Sequence, residues 1–217
     1  MIQATRPIFL PLSILAAALS IGGCAGSSDE LELAQSRTPQ PVDWRSIATE
    51  DDRTRIRQWR NAWMRGLQKA RTAGHESALT REGALVQPDA AIAWQDPPAG
   101  NYRCRTIKIG AKSEGLLDYV TYPPFDCRIR MENGLMSFAK LSGSQRPMGL
   151  LLADTPRRMV FLGTLQLGDE RRALEYGRDR ERDMAAVVER IGANRWRMVF
   201  PYPHFESTVD ILELVPA

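Results

Sequence analysis

The chain has 217 residues, 43% of them hydrophobic and 25% charged, which is enough for one domain with its own core. Lys and Arg total 29 against 26 Asp and Glu, a formal charge of +3. A balance that close makes no case for nucleic acid as a partner.

Residues 1–23 begin with a short positive segment at Arg6, continue as an apolar run from Ile8 to Leu19 and end in small residues. That is the layout of a secretory signal. A membrane-spanning helix needs about 20 apolar residues, more than this run supplies, and Pro11 interrupts it. Ile21-Gly22-Gly23-Cys24 resembles the lipobox of bacterial lipoproteins. The resemblance implies cleavage before Cys24 and acylation of its thiol and its new amino group, with palmitate-class chains anchoring the protein in the membrane. Several acyl chains hold stably where one is marginal. The rival reading, an ordinary secretory cut, leaves an odd cysteine in an oxidising compartment. Ala25 stands where the lipoprotein pattern places Asp for inner-membrane retention, so the same resemblance implies an outer-membrane location facing the periplasm. Residues 24–41, rich in Ser, Gln and Pro, read as a flexible tether.

Residues 42–100 read as a helical segment. Thr49 is a helix cap, with Glu50, Asp51 and Asp52 in the first turn. Ile56, Trp59, Trp63, Leu67 and Ala70 recur at intervals of three and four, giving one apolar face that runs to Gly74. The arginines on the other faces suit either a solvated surface or anionic headgroups, and the acidic residues among them favour the former. Glu76 to Glu82 reads as a second short helix, and Pro88 to Gly100 as loop.

Residues 101–217 change to short apolar or alternating runs separated by turn residues, the all-β pattern. The predicted strands are Tyr102 to Ile109, Asp126 to Met131, Leu135 to Leu141, Met148 to Leu152, Met159 to Leu167, Ala173 to Gly177, Met184 to Ile191, Trp196 to Tyr202 and Thr208 to Val215. Asn133-Gly134 is a hairpin turn. Met184 to Ile191 suits a helical turn as well as a strand. The expected fold is α+β, mainly β: an antiparallel meander closing into a small barrel, with the amino-terminal helix over one mouth or flank. A β-sandwich is the alternative.

With Cys24 acylated, Cys104 and Cys127 remain, and two cysteines in an oxidising compartment imply one disulfide. Closing that loop stabilises by about 3 kcal/mol in the chain-entropy model. Only His75 and His204 are present, neither in ligand spacing with a cysteine, so no metal site is expected, and no cofactor. No phosphate loop, GxSxG elbow or HExxH occurs, and no catalytic residue is assigned. The carboxylate pairs Asp169-Glu170 and Glu181/Asp183 alternate with arginines, as a solvated turn does. The segment from Lys140 to Gly149 is the most unusual. Ser144, Gln145 and above all Arg146 are candidate partner contacts at a barrel rim; the plainer reading is a polar crossing between strands.

Asp43-Trp44-Arg45, the Trp59/Trp63 helix, Tyr102 to Lys108, Ser142 to Pro147, Tyr176-Gly177-Arg178-Asp179 and Asp210 to Val215 together resemble a domain-of-unknown-function family. Its members are secreted or lipid-anchored proteins of Gram-negative bacteria, with no activity to carry over. More loosely, a disulfide-closed envelope barrel is similar to periplasmic inhibitor lipoproteins and lipocalin-like carriers. Three functions compete: a non-catalytic module holding a protein or a small apolar ligand, a structural component of envelope assembly, and a hydrolase of envelope polymers. An open apolar cavity favours the ligand module, a filled barrel favours surface contacts, and a cleft of Glu, Asp or His favours the hydrolase.

Overall fold

The computed structural model describes residues 42–217; the signal, lipobox and tether readings, Cys24 included, lie outside the described residues. The helices are α1 (Trp44–Ile47), α2 (Glu50–Arg57), α3 (Trp59–Thr72) and α4 (Glu76–Glu82), with a 3-10 turn at Gly83–Leu85. The strands are β1 (Gly100–Ala111), β2 (Tyr119–Thr121), β3 (Phe125–Glu132), β4 (Leu135–Lys140) and β5 (Gln145–Thr155). They continue as β6 (Arg158–Leu167), β7 (Asp183–Gly192), β8 (Arg195–Pro201) and β9 (Ser207–Pro216).

Each strand from β3 to β9 pairs antiparallel with the next, and β9 returns along β1 from Tyr102↔Pro216 to Ala111↔Ser207. Eight strands therefore close into a barrel, which abolishes the exposed edges of an open sheet. The ninth, β2, covers Ile107 to Ile109 of β1 beyond the point where β3 leaves it. Asn133 and Gly134 adopt positive φ in the β3–β4 turn, as a two-residue hairpin requires.

Alternate residues of each strand face inward. Tyr102 and Cys104, Cys127 and Ile129, Phe138, Phe161, Met198 and Leu214 belong to this inner core. The outer wall is covered over half its girth. Trp44, Ala48 and Ile56 pack on Leu152, Val160, Leu162, Ala185 and Val187 of β5 to β7. Trp63, Leu67, Ala70 and Leu79 pack on β1, β8 and β9. The expected single helix from Thr49 to Gly74 breaks at Gln58, where φ is −98° and ψ is 8°. Each half carries its own stripe to a different part of the wall, and Trp59 touches both. The Thr49 hydroxyl caps α2 by accepting from the Asp52 amide. On the flank, α3 approaches β1 and β9 through glycine: a Cβ on Gly66 would lie 2.7 Å from Val209 Cγ1. The expected strand from Ala173 to Gly177 is instead part of the β6–β7 loop, while β2 is a strand the sequence pattern does not reveal.

Candidate functional site

The barrel is shut at one end. Trp94, from the loop before β1, packs against the inner core. The Trp196 indole donates to the Gln95 carbonyl at 2.9 Å and the Tyr102 hydroxyl to the Pro98 carbonyl at 2.6 Å. Inward from this plug, Phe138, Phe161 and Phe200 stack edge to face with centroids 5.9 and 5.8 Å apart. Past Phe200 the filling stops, and a cavity of about 340 Å³ occupies the other mouth. Its walls are largely apolar, from Phe125, Pro147, Leu165, Met184, Phe200 and Leu212. Two turns form its rim: Gly143 to Gln145 between β4 and β5, and Pro203 to Glu206 between β8 and β9. Tyr202 and Glu206 take left-handed backbone at φ 46° and 65°, which non-glycine residues rarely adopt.

Two lysines line this apolar space. Lys108 stands directly opposite Asp210 across the β1–β9 seam, and its Nζ lies 3.1 Å from Asp210 and 3.1 Å from Glu206. Asp210 also accepts from the Ser207 hydroxyl. Burial alone depresses the Lys108 ammonium, but the two carboxylates outweigh it and hold it above its ordinary range. Burial raises the Asp210 carboxyl. Lys140, the last residue of β4, is only 4% exposed. Its Nζ donates to the Gln145 carbonyl at 2.8 Å and sits 3.6 Å from the centroid of the Phe125 ring. Among the described residues no carboxylate pairs with it. Burial, with smaller contributions from Lys108 and Arg146, brings its amine down to about 8.

Of the residues singled out from the sequence, Ser144 and Gln145 line the cavity. Arg146 follows them and turns its guanidinium to three carbonyls, those of Gly143 at 2.9 Å, Gly168 at 2.6 Å and Glu170 at 3.1 Å. It thereby ties the β4–β5 turn to the β6–β7 loop. Cys104 and Cys127 form the disulfide, with Cα atoms 5.9 Å apart, and Cys127 faces Lys140 across β3 and β4. The carboxylate pairs bind the β6–β7 loop to itself and to its flanking strands: Glu170 accepts from Arg182 and the Leu167 amide, and Asp183, the first residue of β7, from the Gly177 amide. His204 is exposed on the β8–β9 turn. Among the described residues no group of three His, Cys, Asp or Glu is placed to hold a metal.

Lys108, Asp210 and Lys140 are the functional candidates that pattern reading missed. One compositional signal pointed to them. The 29 basic residues include only four lysines, Lys69, Lys108, Lys112 and Lys140. Two of the four, Lys108 and Lys140, line the cavity, and a third, Lys112, donates to the Pro203 carbonyl of its rim, while Lys69 on α3 donates to the Ala111 carbonyl where β1 ends. Elsewhere the chain uses arginine as structural cement. Arg197, fully buried, holds Glu189 at 2.7 Å and the carbonyls of Ala84 and Gln87 at 2.7 and 2.8 Å, which fastens the end of the helical segment to the wall. Arg55 joins Asp52 and the Asp183 carbonyl, while Asp52 accepts from Tyr176, which clamps α2 to the β6–β7 loop. A more open depression of about 490 Å³ on the outer wall, between Arg130 and Leu174, holds no buried charge.

Fold and site together define a class: a small closed β-barrel, plugged at one end, with two buried lysines in a cavity at the other. The chain belongs to the family described as Domain of unknown function (DUF4893), which matches residues 44–214. No curated protein matches the chain. No solved structure matches it either.

Proposed function

We propose that this protein is a lipid-anchored envelope module of Gram-negative bacteria whose barrel mouth holds a small molecule with an apolar tail and an anionic head. Lys140 carries the reading. An ammonium has three N–H donors, and here one acceptor and one aromatic face meet them. Burying such a charge without a counter-ion costs several kcal/mol, so a position serving only the core would be apolar. An incoming carboxylate, sulfonate or phosphate supplies the missing charge. The cavity volume lies within the range of small-molecule sites, and its apolar walls suit a tail inserted toward Phe200. The two carboxylates of the cavity, Asp210 and Glu206, both engage Lys108, so loss of the Lys140 proton removes the charge left to meet an anionic head.

Titration with anilinonaphthalene sulfonate, an apolar dye with an anionic head, tests this. Lys140→Met should weaken dye binding at pH 7 by roughly tenfold to a hundredfold, the range of one charge-assisted hydrogen bond. Wild-type affinity should begin to fall as pH rises past about 8, the Lys140 value, and the variant should lose that dependence. Equal affinity of the two proteins at pH 7 would sink the reading.

A further inference from the structure

We infer that Lys140 is also a covalent capture residue, its amine condensing with the aldehyde or ketone head of an apolar ligand to form an imine. The inference rests on the reading of the mouth as a ligand site, and it names a class of head group that the site selects.

Placement supports it first. The Lys140 amine lies beside the Gly143–Gln145 rim, held by the Gln145 carbonyl and the Phe125 ring, while Phe200 and Met184 lie deeper. A ligand that enters tail first brings its head to that nitrogen. Pairing supports it next. Both carboxylates of the cavity, Asp210 and Glu206, engage Lys108, so among the described residues no acid holds the Lys140 proton. With an amine near 8, about a tenth of the molecules carry a free nucleophile at pH 7. A second cation in the cavity and an apolar wall are the two devices that activate amines for carbonyl chemistry. Residue choice is the third support. A chain that meets nearly every need for positive charge with arginine places lysine here, and arginine neither deprotonates nor condenses.

The step balances without an oxidant or reductant. The Nζ lone pair attacks the carbonyl carbon, a C–N bond forms and the carbonyl pair moves onto oxygen. The new ammonium passes one proton to that oxygen, giving a carbinolamine. Its hydroxyl takes a second proton from solvent at the rim and leaves as water, while the nitrogen lone pair closes the C=N bond. The protonated imine retains the single positive charge of the original ammonium.

The test incubates the full chain with decanal and cyanoborohydride at pH 8, fixing any imine as a decyl amine, and maps the product by peptide mass spectrometry. The expected result is one decyl group per chain, on Lys140 at least tenfold above Lys69, Lys108 or Lys112, with the sulfonate dye slowing the reaction. Lys140→Arg keeps the charge and should abolish this labelling. Mapping on the wild type decides the matter even if that variant folds poorly. Labelling spread evenly over the four lysines overturns the inference, as does an unlabelled Lys140. If Lys140 stays unlabelled while the dye binds in a Lys140-dependent manner, the ligand reading stands and only covalent capture falls. If dye and decanal both fail, both readings fall.

Discussion

Lys140 and Lys108 show how the same residue type in one cavity is set to opposite states by its neighbours. Lys108, flanked by two carboxylates, keeps its proton, whereas Lys140 meets a carbonyl, a ring and a neighbouring cation. This has a consequence for stability. Its folded value of about 8 lies below the ordinary lysine value of 10.5. Between those values the unfolded chain holds a proton that the folded chain has released, so stability contributed by this group rises with pH there. Below pH 8 the charged amine costs on the order of 3 kcal/mol. Denaturant melts should therefore find Lys140→Met gaining most over wild type at pH 7, with the difference shrinking by pH 10. A difference that does not change with pH would assign the cost to something other than this proton. Nothing in a single Ala-Lys-Leu stretch announces that state, because it depends on where Asp210, seventy residues away, directs its charge.

At the scale of elements, β1 carries the closure of the barrel, and it pairs with β3 only from Gly100 to Cys104, against Tyr102 to Ala111 with β9. The Cys104–Cys127 disulfide lies within that stretch and reinforces it. Replacing both cysteines by alanine should lower stability by about 3 kcal/mol, read as a lower denaturant midpoint; an unchanged midpoint would mean that the pairing is sufficient without the bond. How far the strands were legible depended on what covers them. In β3 the outer face meets solvent, so Asp126 to Met131 alternates openly and is read from sequence at once. In β7 both faces are buried, one under α2, and Met184 to Ile191 loses the alternation that separates strand from helix. The helix break at Gln58 has no proline or glycine to mark it, since it arises where one apolar stripe ends and another begins. Ala173 to Gly177 has strand-like composition, but the Tyr176 hydroxyl bonds Asp52 and draws the segment onto α2.

The whole molecule divides its labour between two ends of one sheet. One end and half the outer wall are sealed by helices and aromatic packing; the other end is left with turns, lysines and space. The sequence makes the barrel and its disulfide readable, because patterns along each strand survive folding, whereas a mouth is assembled from the tips of eight strands with no shared pattern. The anchor at Cys24 is a separate proposal with its own check. Metabolic labelling with a fatty acid should mark the wild-type protein and not Cys24→Ala, and an unlabelled wild type would remove lipidation from the account.

The plug of Trp94, Tyr102 and Trp196 makes the cavity a blind well, so a guest enters and leaves by the same door. Such a well acts as a ruler. Each added methylene of the tail gains about 0.8 kcal/mol while there is depth left to fill. Once the tail reaches Phe200, further length lifts the head off Lys140 and out past Glu206, and the gain stops. The distance from a ring to an amine thereby becomes a preference for guests of one size.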